Sequence, residues 1–289
     1  MPRVAVVSDT TGYLSPELVE ANQIGLVSLH VNYDGERTER EADMHDLDAF
    51  YDELRSAERL PTTSQPSVGD FVAVYEPLLD DGRDVVSIHI SSGLSGTCAS
   101  ARQAALLLER VGRGGERVRV IDSRTAAGGL GLVVLAAARR AAAGADAERV
   151  AAQAVAARSE LKMWMCLDTL EYLKRSGRIG AASAWVGSTL HIKPILTVES
   201  EIIPVERVRT TARVLERMQS YAQQRHASGA DAWMLQHIQS PDEAAALAER
   251  CEGIFGSPPQ FVSEIGAVLG VHTGPGLLGL TALPAGFLI

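Results

Sequence analysis

The sequence predicts an α/β fold in which an N-terminal, mostly parallel α/β sheet domain, residues 1–159, packs against a C-terminal α+β domain, residues 160–289. Three observations carry that expectation. Short apolar strand patterns alternate with helical patterns through the first half, with short joins, which calls for a parallel sheet with helices on both faces. In the second half the alternation is interrupted by a hairpin pattern, which brings antiparallel pairing. Apolar residues make up 46% of the 289 positions, enough for a substantial core, and no repeat, low-complexity tract or long linker holds the two halves apart.

Each element has its own warrant. Val4 to Ser8 is a short apolar strand that ends in Asp9-Thr10-Thr11-Gly12. Ser15-Pro16-Glu17 supplies a hydroxyl cap and a proline at the first helical position. Ile24 to Val31 reads as a second strand. Leu47, Phe50, Tyr51 and Leu54 recur at helical spacing between Asp46 and Arg59. "PTTSQPS", Pro61 to Ser67, reads as a loop, and Ser67 opens a helix that runs to Leu79. Asp84 to Ile90 is a strand rich in β-branched residues. A helix starting at Ser95 or Thr97 and ending at Val111 follows, then a strand from Arg117 to Asp122 and an Ala-rich helix from Ala126 to Ala143. A further helix covers Asp146 to Ser159. Met163 to Leu167 is a strand, and the helix from Thr169 to Lys174 is broken by "SGRIG". Ile192 to Val198 and Ile202 to Val208 form a hairpin around Glu199-Ser200-Glu201. The pattern closes with a helix over Thr210 to Arg225, a strand over Ala232 to Ile238, a helix over Pro241 to Phe255, and strands over Phe261 to Ile265 and Thr281 to Leu288.

Composition removes several function classes. A net charge of −9 argues against a general nucleic-acid binder and against steady residence on an anionic membrane. Cys98, Cys166 and Cys251 are single and widely spaced, which fits a reducing cytoplasm better than a disulfide framework. No signal peptide is expected, because no charged segment leads into an apolar run with a cleavage site. No uninterrupted apolar run reaches the ~18 residues that a membrane span needs.

Polar residues gather in loops that follow strands. Asp9-Thr10-Thr11 follows the first, and "ISSGLSGTCASA", Ile90 to Ala101, follows the strand that starts at Asp84. Ligands of open parallel sheets bind outside the carboxyl ends of the strands, so both loops lie on the expected side. Glycines admit a close ligand, and hydroxyls and helix-terminal N–H groups attract an anion. An elaborate helix cap would account for the same residues. A nucleotide phosphate is disfavoured, since GxxxxGK[ST] is absent and no lysine lies near the loop. The spacing GxSxG of a serine hydrolase is missing by one residue, as Gly93-Leu94-Ser95-Gly96 shows. The histidines and cysteines show no zinc-ligand spacing, so neither a metal nor a cofactor is expected. A carboxylate remains open. "GVHTGPGLLG", Gly270 to Gly279, offers His272 from what reads as an exposed loop, and "LEYLKRSGRIG" places Lys174, Arg175 and Arg178 around a helix end.

Seven segments in order, "VSDTTGYL", "TTSQPS", "ISSGLSGT", "VIDSRTAAGGLG", "LDTLEYLKRSGRIG", "HIKPIL" followed by "VRT", and "VHTGPGLLG", resemble the DegV family, the FakB-type fatty-acid-binding proteins. The resemblance runs from Val4 to about Leu280. It implies two domains with a long-chain fatty acid between them, the chain buried and the carboxylate held by polar residues. Residue by residue, it implies carboxylate binding by Thr63, Ser64 and Ser92, with Ser91 and Ser95 as neighbours and His272 near the carboxyl. The first loop is expected to help hold the head, although threonines follow Asp9 where the family often has serines. Arg175 and Arg209 match arginines implicated in phosphate or partner contact. The implied function is that of a carrier without catalytic residues of its own. It would be cytoplasmic, touch membranes transiently, and present the carboxylate to an ATP-dependent, DhaK-like fatty acid kinase subunit that forms an acyl-phosphate. Burying ~14 methylenes favours such a carrier by roughly 11 kcal/mol before ordering costs. Two rival readings share the site. In one, Ser92 or Ser95 with His272 is a hydrolase pair for an acyl ester; in the other, the protein is a lipid-sensing regulatory module.

Overall fold

The structure, a computed structural model, describes residues 3–33, 37–186 and 192–289. Strand β1 (Val4–Asp9) leads into a turn of 3-10 helix and helix α1 (Pro16–Ala21), which Ser15 caps by accepting from Leu18 N. Strands β2 (Ile24–Val27), β3 (His30–Tyr33) and β4 (Arg37–Arg40) precede helix α2 (Leu47–Ser56) and strand β5 (Thr62–Ser64). Helix α3 (Val68–Asp80) starts with a reciprocal box between Ser67 and Asp70. Strand β6 (Asp84–His89), helix α4 (Thr97–Arg110), strand β7 (Val118–Asp122) and helices α5 (Ala127–Ala142) and α6 (Ala147–Glu160) follow. Strands β2, β1, β6 and β7 form, in that order, a wholly parallel sheet. Every residue of β1 is buried because both faces are covered. Ala5 and Val7 pack with α3 and α4, whereas Val4 and Val6 pack with α5 and α6.

The rest of the chain builds a second sheet. Strand β8 (Trp164–Cys166), helix α7 (Glu171–Arg175), strands β9 (Lys193–Glu199) and β10 (Glu201–Val208), and helix α8 (Thr211–Ala227) come first. Strand β11 (Ala232–His237), helix α9 (Pro241–Phe255), strand β12 (Val262–Glu264), helix α10 (Ala267–Thr273) and strand β13 (Leu278–Leu283) complete it. The strand order is β10-β9-β8-β13-β11-β12, antiparallel except for β11 with β12. Trp233 and Leu235 of β11 pack with α8 and α9, while Met234 of the same strand packs with α5. Helix α5 touches β1 and β6 of one sheet and β11 and β13 of the other, which explains why it is apolar nearly all round. A Cβ at Gly128 would overlap Met234, so the glycine sets how closely α5 lies on β11.

Four expectations change. Ile24 to Val31 is not one strand. Ser28 Oγ donates to Leu29 O and accepts from Ala42 N, and the chain leaves the parallel sheet between β2 and β3. "PTTSQPS" is not all loop: Thr62–Ser64 pairs with β3 in a small antiparallel sheet of order β4-β3-β5. The final strand ends at Leu283, where Pro284 interrupts it, and Ala285–Leu288 is 3-10 helix. His272 lies in the buried helix α10 rather than in an exposed loop, because the glycines that read as loop, Gly274 and Gly276 at φ +72° and +88°, come after it.

Candidate functional site

A cavity opens where the carboxyl end of β6, the start of α5 and the inner face of the second sheet meet. Its empty space, about 900 Å³, includes a part that is open to solvent. Its walls are mainly apolar: Ile90, Leu94, Met163, Met165, Met234 and Val268 are representative. Three of its lining residues are thioethers, whose unbranched side chains adapt to irregular contents.

Polar groups converge at one part of this lining. Thr63 Oγ1, on β5, lies 2.7 Å from His272 Nε2, on α10, across 209 positions of sequence. Ser64 lines the same cavity and accepts from Asn32 Nδ2 at 3.3 Å. His272 is only 9% exposed. Burial, reinforced by the Arg178 guanidinium, pushes its pKa down to about 4, so the ring is neutral near pH 7. Its Nδ1 is buried and has no partner among the described residues.

The serine loop divides its hydroxyls. Ser95 lines the cavity and bonds Thr97 Oγ1 at 2.9 Å. Ser91 does not line it: its hydroxyl is buried and donates to Ser200 O, 2.6 Å away at the tip of the β9–β10 hairpin. A Cβ at Gly93 would overlap that same carbonyl, so this end of the loop is a seam between the two halves of the chain. Ser92 is also off the lining. It is exposed, and its N–H and hydroxyl both go to Asp122.

The first polar loop lies elsewhere too. Asp9 accepts from Thr11, from Ile90 N at 3.0 Å and from His89 Nδ1 at 3.0 Å, all buried. It is spent inside the protein and does not line the cavity.

Neither expected arginine lines the cavity. Arg175 is exposed and donates to Glu58 O at 2.9 Å, and Arg209 is exposed just ahead of α8. The cation at the site is Arg178, from the same "KRSGR" stretch. Gly177 and Gly180, at φ +72° and +53°, turn the chain after α7 and bring it there. Sequence reading also passed over Glu41 and His89, whose partners lie far away in the chain.

Neither Ser92 nor Ser95 pairs with His272: His272 meets Thr63, Ser92 meets Asp122 and Ser95 meets Thr97. A different trio has the connectivity. Ser87 Oγ lies 2.6 Å from His89 Nε2, and His89 Nδ1 lies 3.0 Å from Asp9. All three are buried, Ser87 is occupied by the Tyr75 hydroxyl at 2.7 Å, and no substrate carbonyl can reach it. Among the described residues no group of acids, histidines and cysteines could hold a metal ion, and no helix is long and apolar enough to cross a membrane.

The fold and the site together define a class: an α/β protein with a mostly apolar cavity between two sheets and a small polar cluster in its wall. The family model described as the uncharacterised DegV family matches residues 3–285, and the chain belongs to that family. A DegV domain-containing protein of Streptomyces coelicolor is 37% identical, covering 96% of this chain and 97% of its own length. Protein DegV of Bacillus subtilis is 33% identical over 96% and 98%. Among solved structures, a DegV family protein of Thermus thermophilus described for its fatty acid binding is 33% identical with a TM-score of 0.87, covering 98% of this chain and all of that one. Bacillus subtilis DegV, described as a fatty acid binding protein, is 32% identical with a TM-score of 0.86 over 98% and 100%.

Proposed function

We propose that this protein binds a long-chain fatty acid in the cavity and presents its carboxylate to an ATP-dependent fatty acid kinase partner. The observation that carries the reading is the cavity itself: mainly apolar walls and, within them, the Thr63–His272 pair with Arg178 beside it. Methylenes favour the walls by about 0.8 kcal/mol each. The carboxylate would sit among Thr63, Ser64, Ser95 and His272, with Arg178 as the cation proposed to face its charge. Arg175 and Arg209 remain exposed and are proposed for partner contact. The fatty acid binding of two relatives above 30% identity supports the ligand class. In this reading the protein is a carrier, the nucleotide belongs to the partner, and the complex works in the cytoplasm with transient membrane contact. The ligand lies between two domains that divide at residues 159 and 160; the parallel sheet falls wholly before that point and the six-stranded sheet wholly after it.

Denaturing mass spectrometry of lipids extracted from the purified protein tests the ligand. A stoichiometric fatty acid is expected. Protein that is empty, and whose melting temperature no fatty acid of any chain length raises after delipidation, would overturn the reading.

A further inference from the structure

The polar loop after β1 faces a helix instead of the cavity. Glu41 is buried, and its carboxylate accepts from Val268 N at 2.8 Å, from the Tyr13 hydroxyl at 2.8 Å and from the Thr10 hydroxyl. The Tyr13 oxygen in turn accepts from Leu269 N at 3.1 Å. Two first-turn amides of α10, which the helix itself cannot satisfy, therefore end on side chains from the start of the chain. The seat is close-fitting. A Cβ at Gly266 would come within 2.8 Å of the Tyr13 ring and 3.0 Å of Glu41 Oε1. The Tyr51 hydroxyl shares its one proton between Ile265 O at 2.7 Å and Gly266 O at 3.1 Å. The loop is itself anchored, since Asp9 is tied to His89 and to Ile90 N, and Tyr13, at φ +49°, closes the turn onto Thr10 O.

Val268 and His272 are four residues apart on α10, so they stand one above the other on one side of the helix. Whatever fixes the first turn fixes the imidazole a turn later. We infer that Glu41, with Tyr13, is the positioning residue for His272: it pins the amino end of α10 so that the ring meets Thr63 in the cavity wall. The inference rests on the fatty-acid reading for its consequence in binding, but not for the geometry it asserts. It gives the "VSDTTGYL" segment a role one step behind the ligand. Recognition groups need second partners of this kind to hold them within about 0.5 Å of their working position.

The test is Glu41→Ala beside Glu41→Gln in delipidated protein. Gln keeps an acceptor for Val268 N and for Tyr13; Ala keeps neither. His272 ring-nitrogen NMR shifts report its bond to Thr63 without any ligand, and binding of a fluorescent fatty acid reports the consequence. Glu41→Ala is expected to shift the His272 resonances and to weaken binding about tenfold, the loss of one hydrogen bond to a charged group. Glu41→Gln is expected to stay near the parent in both. Should Glu41→Ala fail to fold, Tyr13→Phe removes the acceptor of Leu269 N and keeps the ring, and the same shift is expected. Unchanged His272 resonances in a folded Glu41→Ala or Tyr13→Phe protein overturn the positioning role. Shifted resonances in a protein whose parent binds no fatty acid support the positioning role and overturn the fatty-acid reading instead.

Discussion

Glu41 and His272 sit near opposite ends of α10's hydrogen-bonding chain and are displaced in opposite directions by burial. Burial raises the Glu41 carboxyl from 4.5 to about 7, with nearby Asp9 adding to it while bonds from Thr10, Val268 N and Tyr13 work against it. Burial lowers His272 from 6.5 to about 4, with Arg178 adding to it. The folded protein therefore holds Glu41's proton more tightly than the unfolded chain does, and stability from this group is present below pH 4.5 and lost by about pH 7. For His272 the unfolded chain binds the proton more tightly, so its contribution is present above pH 6.5 and lost as pH falls to about 4. Each displacement is worth about 3 kcal/mol. Over the shared window the two slopes oppose each other, and the pair adds little net pH dependence. Single substitutions unmask them. Relative to the parent, Glu41→Gln gains about 3 kcal/mol between pH 4.5 and 7, and His272→Asn gains about as much between pH 6.5 and 4. Urea unfolding of ligand-free protein, followed by circular dichroism across that range, measures both differences. Curves that stay parallel to the parent's for either variant would refute the assigned burial of that group.

Two further outcomes follow from the cavity. Arg178→Ala raises the His272 pKa part of the way back toward 6.5, seen by NMR titration, and weakens fatty acid binding about tenfold; Arg175→Ala leaves both unchanged, because its guanidinium ends on Glu58 O. Gly128→Ala destabilises by about 1–3 kcal/mol and pushes Met234 into the cavity, so the urea midpoint and the affinity fall together; a stabilised variant would mean that α5 is not seated on β11 as described.

The parallel sheet was legible because its signals are local. Val4 to Val7 is an uninterrupted apolar run, and Ser15-Pro16 and Ser67 through Asp70 mark helix starts. The small antiparallel sheet was hidden because β5 is three residues long and bounded by Pro61 and Pro66. Helix α10 was hidden because its seven residues adjoin a glycine-rich run and its first amides are satisfied by side chains more than 220 positions away. Resemblance supplied Thr63, Ser64, Ser95 and His272, which line one cavity. It also supplied Ser91, Ser92, Arg175 and Arg209, which do not. No pattern within either segment reveals which group a residue belongs to, because strand register and the approach of the hairpin tip decide it.

Counting hydrogen-bond capacity separates the two sets. Asp9 accepts four bonds from protein, Ser91 gives its proton to Ser200 O, and Gln236, at the cavity wall, binds Gly128 N, Gly12 O and Ser263 Oγ. Groups so occupied join the halves of the molecule and have little left for a guest. His272 is different: one nitrogen is engaged, and the other is buried without a protein partner among the described residues. Charge gives the same answer. An anion at Ser92 would face the carboxylate of Asp122, whereas an anion at Thr63 and His272 would face the guanidinium of Arg178. The proposed carboxylate site therefore draws on Thr63, Ser64 and His272 with Ser95, while Ser91 ties the serine loop to the hairpin tip.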